Sequence, residues 1–242
     1  MNHYPPVGEV EGKKEQVEAM FDAIAPRYDL LNRVLSFGID QRWRKQAVAL
    51  LEAERPERIL DVATGTADLA IEALRLDPKK VVGVDIAEEM LSRGREKIAE
   101  IGESDRVVLQ RGDAEKLPFS DNQFHAALVA FGVRNFQDLD KGLAEIRRVL
   151  RPGGALVVLE FSKPRAFPIK QLYAFYSRYI LPRVGRAVSK HDGAYRYLPD
   201  SVAAFPDGEA FLDRMRQAGY HEPTCRPLTF GIASLYKGRV AG

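Results

Sequence analysis

Cysteine is almost missing from this chain of 242 residues. Cys225 is the only one, which excludes an internal disulfide and a cysteine-based metal cluster and points to a reducing compartment. Long apolar runs are missing too: none approaches the ~20 residues that span a bilayer. The opening Met1-Asn2-His3-Tyr4-Pro5-Pro6 has no apolar core of signal-peptide length. A cytoplasmic protein is expected, with peripheral contact at the inner face of a membrane still compatible. Charge of one sign is not in excess. Lys and Arg number 36 against 34 Asp and Glu, so nothing argues for a nucleic-acid surface. No metal site, internal repeat or low-complexity segment is indicated. The length suits one α/β domain with an added segment.

The chain is organised around Arg58-Ile59-Leu60-Asp61-Val62-Ala63-Thr64-Gly65-Thr66-Ala67-Asp68. Arg58 to Val62 reads as a strand of the kind buried in a parallel sheet. Small residues follow, and then Leu69 to Leu74 with helical spacing. Such a turn lets backbone approach a ligand closely at a helix N-terminus. The G-x-G-x-x-G of dinucleotide sites and the G-x-x-x-x-G-K-[ST] of phosphate loops are both absent. Instead the small residues alternate as Asp61-x-Ala63-x-Gly65-x-Ala67. This resembles the D/E-x-G-x-G-x-G turn of S-adenosylmethionine-dependent methyltransferases, with Ala at two glycine positions. Ala tolerates positive φ poorly. The expectation is therefore that only Gly65 takes an unusual backbone geometry, while Ala63 and Ala67 supply smallness.

Helical spacing is read over Lys13 to Ile24, from Tyr28 to a Gly38 cap, and from Asp40 to Leu51. Lys80 to Asp85 is a second buried strand ending on an acid. Asp85 lies 24 residues beyond Asp61, close to the offset at which a carboxylate receives a ribose diol. After a helix from Glu88 to Ile101, Val107 to Gln110 forms a third strand leading to Asp113, placed to bind an adenine amino group. Phe124 to Ala130, a helix from Leu139 to Leu150 and a strand from Ala155 to Phe161 complete five β–α units. The fold class is α/β, a doubly wound and mostly parallel sheet with an antiparallel edge from His221 to Lys237. The units expected are an N-terminal helical cover at 1–55, the core at 56–161, a helical substrate lid at 162–205, and a helix with edge strands at 206–242. The lid stretch Ile169 to Leu181 is aromatic-rich, with basic Lys163, Arg165, Lys170, Arg178, Arg183, Arg186 and Lys190 interleaved. It reads as core, or as a lid for a hydrophobic substrate or an anionic membrane surface.

Taken together these stretches resemble the demethylmenaquinone and polyprenyl-benzoquinol C-methyltransferases of quinone biosynthesis. The matching text is Met20-Phe21-Asp22-x-Ile24-Ala25-x-Arg27-Tyr28-Asp29-Leu30-Leu31-Asn32, Leu60-Asp61-Val62-Ala63-x-Gly65-Thr66 and Phe131-Gly132-Val133-Arg134-Asn135. It continues in Arg151-Pro152-Gly153-Gly154, Leu159-Glu160-Phe161-Ser162-Lys163-Pro164 and Tyr195-Arg196-Tyr197-Leu198. The resemblance implies a Rossmann-like class I methyltransferase fold and S-adenosylmethionine as cofactor. It implies cofactor contacts from Asp61, Ala63, Gly65, Thr66, Asp85, Ile86, Asp113, Ala114 and Ala130. The implied substrate is a polyprenyl quinol, either a demethylmenaquinol or a methoxy-benzoquinol. A homo-oligomer is compatible.

Departures from the family pattern are Ala67 for Gly, Ala130 where a Ser often stands, and His125, expected to pack near the sheet edge. For the chemistry, Asp68 and Arg134 are expected to face each other. Asp68 would take the quinol proton, Arg134 would stabilise the anion, and Tyr28 and Asn135 would orient the ring. A structural Asp68–Arg134 ion pair is the plainer alternative. Competing functions are a methyltransferase for another small aromatic or lipid, a nicotinamide-dependent oxidoreductase, and a cofactor-binding component without turnover.

Overall fold

The structure, a computed structural model, describes residues 12–180 and 192–242. Seven strands form one sheet in the order β3-β2-β1-β4-β5-β7-β6. β1 (Arg58–Val62), β2 (Lys80–Asp85), β3 (Val107–Arg111), β4 (Phe124–Ala130) and β5 (Leu150–Phe161) are parallel. β7 (Ala233–Val240) runs antiparallel against both β5 and β6 (Tyr220–Leu228). The helices between the parallel strands are α4 (Asp68–Ala73), α5 (Glu88–Glu100) and α6 (Leu139–Val149).

Both faces of the sheet are covered, which explains why its strands read as continuous apolar runs. Side chains alternate between two cores. Leu60, Ala127, Val129, Leu156 and Val158 pack on one face with Leu143 and Ile146 of α6 and with Phe211 and Met215 of α9 (Glu209–Gln217). Ile59, Ala126, Leu128, Val157 and Leu159 pack on the other with Leu69, Leu91, Ile98 and Trp43. Strand order reverses at the β1–β4 boundary, so a crevice opens at the carboxyl ends of these strands.

Three helices cover that crevice: α1 (Lys13–Ile24), α2 (Tyr28–Ser36) and α3 (Ile39–Ala49). α1 and α2 meet α5 through a small apolar cluster of Ile24, Ala25, Ala87 and Met90, with Phe21 and Tyr28 packed against it. After β5 come α7 (Ile169–Phe175), a π-helical turn over Tyr176–Ile180, and α8 (Asp192–Ala204). Leu181, Arg183, Arg186 and Lys190 of the expected lid lie outside the described residues.

Two local expectations change. The fifth strand begins at Leu150, five residues early, because left-handed Gly153 (φ 75°) lets the chain kink and resume pairing. His125 lies on β4, the middle strand of the sheet and not its edge, at the end opposite the crevice.

Candidate active site

The turn after β1 is held from three sides. Thr64 N donates to Val84 O (3.0 Å), Ala67 N to Thr64 O (2.9 Å), and Gly65 N to Asp85 Oδ2 (2.8 Å). Asp85 Oδ1 also accepts from Ala87 N at 3.0 Å, so the acid at the end of β2 fixes the turn at the end of β1. The expectation that only Gly65 needs unusual geometry is overturned. Ala63 (φ 55°), Gly65 (φ 55°) and Ala67 (φ 66°) are all left-handed. An L-residue held there costs about 1–2 kcal/mol, and the surrounding hydrogen bonds and packing impose it. Small size matters as well: a Cβ on Gly132 would come within 2.6 Å of the Ala63 methyl, so that position has no room for a side chain.

A cavity of about 670 Å³, open to solvent, lies over this turn. Of the residues expected to contact the cofactor, Ala63, Gly65, Asp85, Ile86, Asp113, Ala114 and Ala130 line it. Asp61 and Thr66 do not. Asp61 is buried beneath the turn, where Oδ2 accepts from Thr64 Oγ1 at 2.6 Å and Oδ1 has no partner among the described residues. Burial, opposed by the Thr64 hydrogen bond, pushes its pKa up to about 7. Thr66 turns to the cover and donates to Asp29 Oδ1 at 2.6 Å. Burial raises the Asp85 pKa against the opposing backbone donors, and a carboxylate in that position gains from further hydroxyl donors. An adenosyl ligand supplies both a diol and an amino group, so these residues fit S-adenosylmethionine.

A second, larger cavity of about 1710 Å³, also open to solvent, adjoins the first, with Phe21, Tyr28 and Phe131 in the walls of both. Its walls are mainly apolar and aromatic, including Ile24, Trp43, Phe161, Leu172 and Tyr173. Among the described residues, Arg134 and Asp40 are its charged members. Asp40 is already tied to Ser36 and Arg44.

Arg134 follows β4 in a 3₁₀ turn, and its guanidinium is built in. Nη1 donates to Glu160 Oε1 (2.7 Å) and Phe131 O (2.5 Å), and Nε donates to Ser201 Oγ (3.3 Å). The cation also lies 5.4 Å from the Phe161 ring centroid. Glu160 is fully buried. Burial raises its pKa, while Arg134 and two backbone donors act in the opposite direction. Asn135 donates to Phe131 O at 3.2 Å and accepts from Tyr197 Oη at 3.1 Å. Tyr28, whose pKa burial raises, stays a neutral phenol between the two cavities.

The expected Asp68–Arg134 pairing is not formed. Asp68 is in the wall of neither cavity and pairs with Lys97 of α5 and, at 3.8 Å, with Arg44 of α3. Lys97 also bridges to Asp29 at 3.0 Å. The physical reason is proximity. Asp68 opens α4, on the face packed by α3 and α5, whereas Arg134 leans toward β5, where Glu160 is the nearer acid. Sequence reasoning also missed Lys14, which lines the smaller cavity and reaches Asp113 (2.5 Å) and Glu115 (3.2 Å). A basic residue opening a helix carries no signal of such a long-range partner. Glu160 was visible within a matching motif, but its burial was not.

Residues 9–239 match the ubiE/COQ5 methyltransferase family. The chain belongs to that family. It is 50% identical over 228 residues to a demethylmenaquinone methyltransferase of Bacteroides fragilis, covering 93% of each protein. It is 46% identical to a ubiquinone/menaquinone biosynthesis C-methyltransferase of Geobacter sulfurreducens, covering 93% of this chain and 89% of that one. Among solved structures it resembles a SAM-dependent methyltransferase of Thermotoga maritima, described as a possible histamine N-methyltransferase. The TM-score is 0.64 at 23% identity, over 91% of this chain and 98% of that one. Family and fold together make the chain an S-adenosylmethionine-dependent methyltransferase.

Proposed function

We propose that this family member methylates a ring carbon of a polyprenylated demethylmenaquinol in menaquinone biosynthesis. The observation that carries the reading is the junction of the two cavities: the smaller one, which carries Lys14, Asp85, Asp113 and Glu115 among apolar groups, meets a large apolar one at Tyr28 and Phe131, with Arg134 and Asn135 beside it. The names of the family relatives agree with it, and that of the Geobacter protein, a ubiquinone/menaquinone biosynthesis C-methyltransferase, makes a benzoquinol the second candidate substrate.

When bound, S-adenosylmethionine would supply a sulfonium methyl for the ring carbon ortho to the ionised hydroxyl and would leave as the neutral thioether; the hydroxyl proton and the ring-carbon proton would both pass to water. The chain's residues make the ring nucleophilic. A phenol with pKa near ~10 is scarcely ionised at neutral pH. An adjacent cation lowers such a pKa by about 1–3 units, and Arg134 is the cation that the described residues place in the wall of the apolar cavity. Glu160 and the Phe131 carbonyl keep the guanidinium in place, so little reorganisation is needed as charge develops. The Asn135 amide and the Tyr28 hydroxyl orient the ring. Asp68 acts at one remove: with Lys97 and Asp29 it holds the Thr66 end of the cofactor turn. Arg134→Gln should therefore lower kcat about 10²–10³-fold while leaving S-adenosylmethionine affinity nearly unchanged. Mass analysis of short-chain demethylmenaquinol and benzoquinol after single turnover reads both activity and ring choice. No methyl gain on either ring sinks the reading.

The same reading includes a cytoplasmic protein that meets the inner face of the membrane to collect its lipid. No helix among the described residues is long and apolar enough to cross a membrane. Phe37 (82% exposed), Phe230 (76%) and Leu172 (60%) stand in the wall of the larger cavity, and Phe167 is 82% exposed nearby in sequence. Arg165 and Lys170 supply exposed positive charge beside Phe167. Reversible binding to anionic vesicles, weakening as salt rises, is expected. Flotation of the Phe37→Ser/Phe230→Ser double variant should show the binding lost, and unchanged flotation would remove this surface.

A further inference from the structure

Two hydroxyls from α8 reach the residues on which the proposed chemistry depends. Tyr197 Oη donates to Asn135 Oδ1 at 3.1 Å, and Ser201 Oγ accepts from Arg134 Nε at 3.3 Å. The Ser201 hydroxyl donates its own hydrogen bond to the Leu198 carbonyl at 3.0 Å, which leaves its oxygen lone pairs toward Arg134. The four-residue spacing puts Tyr197 and Ser201 on one face of the helix. Both are buried, so neither hydroxyl can exchange its partner for bulk water. The adjoining Leu198 and Pro199 stand in the wall of the large apolar cavity, as does Tyr197. One helix thus presents apolar groups to the cavity and hydroxyl groups to the pair Arg134 and Asn135.

We propose that Tyr197 and Ser201 are positioning residues that convert occupancy of the apolar cavity into the working orientation of Asn135 and Arg134. The inference rests on the quinol reading above and extends it to how the tail contributes. Binding energy from a non-reacting part of a substrate raises kcat only when it organises contacts made in the transition state. A tail seated against Leu198 and Pro199 holds α8 down. α8 in turn fixes the Nε edge of a guanidinium whose Nη1 is already fixed by Glu160. Asn135 is held from above by Tyr197 and from below by the Phe131 carbonyl. The tail therefore acts on the rate of the chemical step as well as on affinity.

The test compares single-turnover methyl transfer to demethylmenaquinols carrying one prenyl unit and several. The proteins are the wild type, Tyr197→Phe, Ser201→Ala and Tyr220→Phe. The last removes a buried hydroxyl that donates to Leu143 O at 3.1 Å and lines neither cavity, and so measures a purely structural loss. In the wild type kcat should rise with tail length. Tyr197→Phe and Ser201→Ala should each lower kcat on the long-tailed substrate about 3- to 10-fold, the effect of one lost hydrogen bond. They should also flatten the dependence on tail length, with cofactor affinity unchanged. Tyr220→Phe should lower Tm and keep the tail dependence. If both α8 variants keep the wild-type tail dependence, or either loses only Tm as Tyr220→Phe does, the positioning role is wrong. A wild type that methylates quinols with a kcat indifferent to tail length overturns this inference alone. No transfer to any quinol overturns the functional reading and this inference with it.

Discussion

Removing the negative charge from Glu160 is the perturbation that best separates stability from chemistry. Glu160 is fully buried, and the Arg134 side chain is only 7% exposed. At their 2.7 Å separation and an effective dielectric near 20, the gross attraction is about 6 kcal/mol. Desolvation consumes most of that, so the pair as a whole contributes little net stability. Breaking one side is different, since it strands a buried charge at a cost of about 3–5 kcal/mol. Glu160→Gln keeps an acceptor oxygen and so should sit at the low end, about 3 kcal/mol. For a chain of this size that lowers Tm by about 6–12 °C. Arg134→Gln/Glu160→Gln removes both charges and should recover most of the lost Tm. Activity behaves otherwise: the single variant should lose about tenfold or more in kcat, and the double variant should remain inactive. Calorimetric melting and single-turnover methyl transfer on the same samples supply both readouts. If Glu160→Gln keeps the wild-type Tm and kcat, the pair is not what holds Arg134 and the argument fails.

Asp61 gives a pH dependence of definite sign. Its folded pKa is raised to about 7 from an ordinary value near ~3.9. The folded state therefore binds the proton more tightly, and this contribution to stability is complete below about pH 4 and lost as pH rises through about 7. Carboxyl ¹³C NMR should show its midpoint near 7, and a midpoint near 4 would refute the burial argument. Ala67→Gly relieves a left-handed alanine but loses a buried methyl worth about 0.8 kcal/mol and adds unfolded-state entropy. Stability should stay within about 1 kcal/mol of wild type, with cofactor affinity equal or better by calorimetry, and a marked loss would mean the methyl is needed. Gly132→Ala should cost about 1–3 kcal/mol by overpacking against Ala63 and weaken the cofactor, as thermal melts with and without S-adenosylmethionine would show. Asp85→Ala should weaken S-adenosylmethionine binding by about 2–4 kcal/mol, and unchanged affinity in a folded variant would take Asp85 out of the site.

The sheet and the residues that line the smaller cavity were legible because they depend on local pattern. Apolar runs of strand length, each ending on a small or acidic residue, place Gly65, Asp85 and Asp113 at neighbouring carboxyl ends without further information. The turn's backbone was less legible. Alanine argues statistically against positive φ, and only the hydrogen bonds that Thr64 N and Gly65 N donate to Val84 and Asp85, with the close packing of Gly132, show why Ala63 accepts it. Charge pairing was the least legible. Asp68 and Arg134 are both plausible for the chemistry, but which acid meets which base depends on helices far along the chain. Lys97 takes Asp68, and Glu160, at the end of a strand that reads as pure core, takes Arg134.

The apolar lining of the larger cavity bears on the direction of the reaction. A sulfonium cation and a phenolate anion enter the step, and two species of lower charge leave it. Surroundings that solvate ions poorly disfavour the reactants more than the products, so walls of Trp43, Phe131, Phe161 and Tyr173 favour the forward course. Once the ring is neutral, the attraction of Arg134 for it falls away, and only the tail keeps the product in place. Under the membrane contact proposed above, release is then a partition between two oily phases, the cavity and the bilayer.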